Sequence, residues 1–271
     1  MAETRWHRQA PWGLLALSVL PSLFLVGPLA ALAWRALPSG RWMEAFGNPI
    51  VGQALGLSLT TTMGSLALVV TLGTPMAYLL ARYSFPGRRL LDTLIDLPMV
   101  LPPAVAGLSL LLLFGRNGLL GPFLKEAGLE VAFSTTAVLL AQAFVAGPFY
   151  IRSARAGFES VDPQLERVAA TLGESDAQIF WRVTVPLAFP SLLSGAVMTW
   201  ARALGEFGAT IMFAGNLPGR TQTMPLAVYT AMESDLWAAL TLALLLVVLS
   251  LVAMVLLRIA ARTMRRPVHA P

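Results

Sequence analysis

Arg202 and Glu206 stand four residues apart inside an apolar run, so on a helix they face one side. Charge at membrane depth costs several kcal/mol unless neutralised, so the pair either ties its helix to a neighbour or faces a wet ion path or gate. Ser58, Thr61, Thr62 and Ser65 fall on one helical stripe of an earlier run. Such hydroxyls donate to an oxyanion weakly and in number, as a path requires. They also suit close packing of helix on helix. Thr210, four residues after Glu206, is placed with these candidate path residues. Pro98, Pro102 and Pro103 follow Asp96 in a third run, and each removes an intrahelical hydrogen bond. That makes either a hinge or constriction, with Asp96 satisfying freed amides, or a static kink. Gly205, Gly208 and Gly215 allow close backbone approach, and Arg220 is either an anion lure or a solvated loop charge.

Other chemistries lack their residues. The chain has no cysteine, and its two histidines, His7 and His269, lie at opposite ends, so neither a thiol site nor a His/Cys metal cluster can form. The one lysine, Lys125 in FLKEAG, lacks the glycine spacing of a phosphate-binding loop, so this chain is not itself a P-loop ATPase. An intramembrane enzyme would need a nucleophile–base pair that the apolar runs do not hold. The pI of about 10.4 suggests nucleic acid, but the arginines are scattered over loops and build no basic face.

The elements that must position these residues are membrane helices. Of 271 residues, 56% are hydrophobic and 12% charged, and the mean hydropathy is +0.71. A soluble domain carries about 25% charged residues. Runs of roughly 20 apolar residues cross a hydrocarbon core about 30 Å thick. Six are predicted, over 12–34, 55–81, 93–115, 133–152, 187–213 and 236–257, in a single transmembrane domain covering 1–271. Most of the 19 basic residues fall in one set of loops, including Arg5, Arg8, Arg82, Arg88, Arg152, Arg155, Arg182, Arg265 and Arg266. Arg35, Arg41, Arg116, Lys125 and Arg220 fall in the other. The positive-inside rule then places both termini and the 153–186 loop in the cytoplasm. Arg5, Arg8 and Ala31-Leu32-Ala33 have the look of a signal peptide, but the apolar stretch is longer than a signal core and is flanked by Trp12 and Trp34, which favours a retained anchor.

The polar stretch Glu166–Pro190, ERVAATLGESDAQIFWRVTVPLAFP, lies between runs too apolar for water. Asp162-Pro163 starts a short helix with Leu165, Val168, Ala169 and Leu172 on one face, and Gly173 breaks it. Asp176 to Val183 is predicted to form a second short helix, ended by Pro186. The pair makes a helix–turn–helix on the inner membrane face, gripped by a partner or resting on lipid headgroups. The loop is near charge balance, which suits anionic lipid poorly.

This segment resembles the coupling loop of ABC-importer permeases, whose pattern is EAA, three residues, Gly, nine residues, then I-x-L-P. Gly173, Val183, Val185 and Pro186 hold that spacing. The EAA positions read Arg167, Val168 and Ala169, with arginine in place of the usual glutamate and Glu166 beside it. Phe85 to Gly107, Phe114 to Gly121, and Trp200 to Thr230 resemble molybdate permeases of the same class, and sulfate permeases share the LPP-type and ALGE-type segments.

The resemblance implies an all-α, polytopic bacterial inner-membrane permease, without covalent chemistry or cofactor of its own. It implies a second copy of the chain, two ATPase subunits holding ATP and Mg, and a periplasmic or lipid-anchored molybdate-binding protein. Glu166, Arg167, Val168, Ala169, Gly173, Val183 and Pro186 would form the ATPase-coupling surface. Ser58, Thr62, Ser65, Pro102, Pro103, Arg202, Glu206 and Thr210 are the candidates for the path or gate. The same machine for sulfate or tungstate remains open, as does a secondary transporter driven by an ion gradient.

Overall fold

The computed structural model describes residues 12–37 and 47–264, which form helices and turns with no strand among them. The terminal charges Arg5, Arg8, Arg265 and Arg266, the external Arg41 and both histidines lie outside the described residues. The helices are α1 (Trp12–Ala36), α2 (Pro49–Arg82), α3 (Arg88–Val100), α4 (Pro103–Phe114), α5 (Gly121–Glu126), α6 (Thr135–Ser160), α7 (Pro163–Thr171), α8 (Asp176–Ile179), a π turn (Phe180–Thr184), α9 (Val185–Leu204), α10 (Gly208–Ala214), α11 (Met224–Ser234) and α12 (Leu236–Met264).

Asn48 starts α2 by accepting from Ile50 N at 3.0 Å, with Pro49 in the first turn, and Ser134 starts α6 by accepting from Ala137 N at 3.3 Å. At 34 residues α2 is about 50 Å long and outruns the hydrocarbon core. The bundle is centred on α6, which packs between α2 and α9. Small residues set the spacing: a Cβ added at Gly195 would lie 2.7 Å from Ser153 Cβ, and one at Gly157 2.6 Å from Ser191 Cβ. Ser153 Oγ donates to Ser191 O at 2.7 Å, and Thr74 Oγ1 pairs with the Tyr150 hydroxyl at 2.6 Å. Apolar clusters join α2, α6 and α9 around Tyr150 and Phe158, and α4, α6 and α10 around Phe213. By contrast, α1 touches the described residues mainly along α12, and its apolar span is bare apart from Ala36 at its end.

All six predicted runs are helical, but the expectation of six simple spans needs correcting. Four helices are long and apolar enough to cross a membrane: α1, α2, α6 and the continuous stretch Asp176–Leu204. Run 93–115 is two helices, α3 and α4, bent by 118°, which together make a fifth. The cause is Pro102-Pro103, which lacks two N–H donors and holds Leu101 extended at φ −63°, ψ 137°. Run 187–213 is also two helices, broken at Gly205–Phe207, and α12 contributes a shorter apolar stretch, Leu236–Val252.

The 153–186 loop is corrected as well. Helix α6 continues without interruption to Ser160, burying Ala154, Gly157 and Phe158 on one face. Its other face carries arginines that pair with α3, Arg152 with Asp96 at 2.8 Å and Arg155 with Asp92; Arg155 also pairs with Glu159 of its own helix at 2.8 Å. Nor does Pro186 end the second short helix. It sits in the first turn of α9, directly after a π turn, so Asp176–Leu204 is one continuous helix.

Candidate functional site

The helix–turn–helix that the sequence offers as a coupling segment lies where α2 and α6 end and α9 begins. Asp162 Oδ1 caps α7 by accepting from Gln164 N at 2.8 Å, and Pro163 occupies the first turn. Gly173 turns the chain at φ +89°, a conformation costly for other residues. Ser175 and Gln178 form a capping box that opens α8. Phe180 then packs edge-on against Tyr78 at 4.9 Å, seating the π turn on α2.

Glu166 faces inward. Its Oε1 accepts from Arg82 Nη2 at 2.8 Å and from Thr184 Oγ1 at 2.7 Å. Arg167 is exposed, and its Nε reaches only Pro163 O in its own helix, at 3.4 Å. Val168 is 58% exposed, Leu165 47%, Leu172 80% and Trp181 66%, so α7 and the π turn present an apolar face that the described residues do not cover. Ala169 and Val183 are half-buried and Pro186 is exposed. Between this segment and the end of α2 lies a groove of about 710 Å³, lined in part by Tyr78, Tyr83, Arg167 and Trp181.

At membrane depth the two helix breaks meet. A Cβ at Gly107 of α4 would lie 2.6 Å from Ala209 O of α10, and Gly208 sits against Pro103. Pro102 and Pro103 are exposed at this junction. Arg202 Nη1 pairs with Glu206 Oε2 at 2.7 Å; Glu206 is 1% exposed, whereas the Arg202 side chain is 33% exposed. The other Glu206 oxygen accepts from Ala209 N at 2.9 Å and so starts α10. One carboxylate neutralises the arginine and satisfies a backbone amide freed by the break.

The α2 stripe sits elsewhere. Ser58, Thr62 and Ser65 are all buried within the chain. Ser58 Oγ accepts from Met224 N at 2.7 Å, and Thr62 Oγ1 accepts from Trp200 Nε1 at 3.1 Å. These hydroxyls join α2 to α11 and α9. Ser65 Oγ and Thr210 Oγ1 are buried with no hydrogen-bond partner among the described residues, as is Gln142 Oε1 of α6. Sequence reasoning missed Gln142, Arg82 and Thr184. Arg82 counted there only as a topology charge, and no local pattern pairs it with a residue 84 positions away.

Apolar spans, two of them broken beside each other, with a polar helix–turn–helix carried at one end of the bundle, define a multi-span membrane protein. Residues 70–266 match the family described as binding-protein-dependent transport system inner membrane component. The chain belongs to that family. It is 46% identical over 241 residues to the molybdenum transport system permease protein ModB of Mycobacterium bovis, covering 89% of this chain and 90% of that one. It is 39% identical to the sulfate transport system permease protein CysW of Synechococcus elongatus, covering 91% and 87%. Among solved structures, a bacterial alginate ABC transporter chain superposes with TM-score 0.68 at 17% identity, covering 93% and 94%, a likeness of fold.

Proposed function

We propose that the chain is the membrane-spanning subunit of an ATP-driven importer that moves molybdate into the cytoplasm. The observation that carries this reading is the 46% identity to a molybdenum permease across nearly the full length of both chains. The exposed apolar face of α7 and the π turn supports an external motor, because a surface of that kind needs a partner. Two ATPase subunits, holding ATP and Mg, dock there on the coupling segments of a homodimer. A periplasmic or lipid-anchored binding protein delivers the anion outside, and both termini lie in the cytoplasm. The bare apolar length of α1 suits membrane lipid or the second copy.

The path runs beside the junction of Pro102-Pro103 and Gly205, where backbone and part of Arg202 are exposed. In a dimer with a central path, lining groups must be exposed on the single protomer. Ser58, Thr62 and Ser65 are not, so they act as packing residues. Energy enters as differential binding: the ATP-bound motor favours one arrangement of the coupling segments and the nucleotide-free motor another.

Sulfate transport is the second reading, favoured by the 39% identity to a sulfate permease. Proteoliposomes holding this chain, its ATPase and its binding protein test both. Molybdate uptake that needs ATP, is blocked by tungstate and resists excess sulfate is the expected result. Competition by sulfate moves the chain to the sulfate branch, and uptake that persists without ATP but collapses with an uncoupler replaces the importer by a secondary transporter.

A further inference from the structure

One ionic node gathers four helical elements at the cytoplasmic face. Arg82 lies in the last turn of α2. Its Nη2 donates to Glu166 Oε1 of α7 at 2.8 Å and to Val161 O, just past the end of α6, at 3.1 Å. The same Glu166 oxygen accepts from Thr184 Oγ1, on the π turn that leads into α9, at 2.7 Å. The side chains of Arg82 and Glu166 are only 14% and 18% exposed, and Thr184 is fully buried. A charge-assisted bond in such a place is stronger than a surface pair and geometrically defined.

The chain joins α7 backward to α6 through Val161-Asp162 and forward to α9 through Gly173 and α8. Glu166 adds a connection to α2, which the chain path itself does not supply. We infer that Glu166 and Arg82 are positioning residues that carry the movement of the coupling segment into α2, so that α2 and α9 move with α7 together. Neither residue touches the transported anion. The π turn supports this assignment, because a π register marks a helix under local strain and often a functional site. The turn carries the exposed Trp181 near one end and the buried Thr184 at the other, so it links the exposed face to the Glu166 contact. Arg167, next to Glu166, stays exposed on the outer side, where a partner would meet it.

The inference rests on the transport reading and deepens it. The test measures anion taken up per ATP hydrolysed in the assembled complex, for wild type, Glu166→Gln and Arg82→Lys. Glutamine keeps the shape and loses the charge; lysine keeps the charge and loses the fork that reaches Val161 and Glu166 together. Expected is binding-protein-stimulated ATP hydrolysis retained to within about threefold, while uptake per ATP falls about tenfold in Glu166→Gln and less in Arg82→Lys. A merely structural pair would lower assembly, hydrolysis and uptake in parallel and leave the ratio unchanged, and that outcome overturns the inference. So does failure of both variants to assemble. No ATP-driven uptake by wild type overturns the transport reading first, and the inference with it.

Discussion

Gly208 and Pro103 meet so closely that a Cβ on the glycine would lie 2.5 Å from the proline Cβ. The break in one membrane helix is therefore seated on the break in another. The proline ring cannot rotate away, so the contact holds only while residue 208 has no side chain.

Gly208→Val is expected to lower uptake by at least about tenfold and to destabilise the chain by about 1–3 kcal/mol, the usual cost of overpacking. Gly205→Ala is the control. A Cβ there meets nothing within 4 Å, so it leaves both quantities near wild type. Uptake in proteoliposomes and thermal unfolding in detergent read the two effects. A Gly208→Val protein that transports normally would show that the junction is loose.

Gly173 sits in a different situation. Its φ is +89°, but a Cβ there also meets nothing within 4 Å. Asparagine tolerates this conformation, so Gly173→Asn is expected to fold and transport almost normally. Gly173→Trp carries the backbone strain of a side chain at φ +89° and places a large ring at the turn that would face the ATPase. The expected result is normal insertion and assembly with ATP hydrolysis uncoupled from uptake. Normal transport by the tryptophan variant would remove the turn from the docking surface.

For Arg202 and Glu206 the order of effects is the prediction. Arg202→Met leaves Glu206 buried and unpaired, costing about 3–5 kcal/mol. Arg202→Met with Glu206→Gln removes the stranded charge while the amide oxygen still accepts from Ala209 N, and much of the stability should return. Thermal unfolding of the two variants decides it. A double variant less stable than the single would mean the pair does not work as a neutralising unit.

Ser58 and Ser65 share a stripe but differ in partners. Ser58→Ala strands Met224 N and should cost about 1–3 kcal/mol, whereas Ser65 Oγ has no partner to lose and Ser65→Ala should be near neutral. Neither should alter the competition pattern among molybdate, tungstate and sulfate. A changed pattern in Ser58→Ala would return that hydroxyl to the path.

Much of this architecture was legible from local pattern. The apolar runs, the proline cluster at Pro98–Pro103 and the turn at Gly173 each rest on neighbouring residues, which a sequence presents together. Runs 93–115 and 187–213, each predicted as one helix, are each two. Hydropathy measures length and apolarity, and it does not register that Pro102-Pro103 bends the chain by 118° or that Glu206 finds Ala209 N after Gly205. The sequence predicts a loop from residue 153 onward, because Arg152 and Arg155 read as loop charges beside an apolar run. Pairing with Asp96, Asp92 and Glu159 lets the helix run on.

By itself the amino-acid sequence determined that the chain lives in a membrane and where its polar helix–turn–helix lies, since composition and short-range spacing suffice for each. Only the tertiary structure decided that Glu166 turns inward to Arg82 while Arg167 stays outside, that Gly208 seats on Pro103, and that the hydroxyl stripe of α2 is buried within the bundle. These are contacts between residues far apart in the chain. Their partners are chosen by packing in three dimensions, and no periodicity along one helix encodes them.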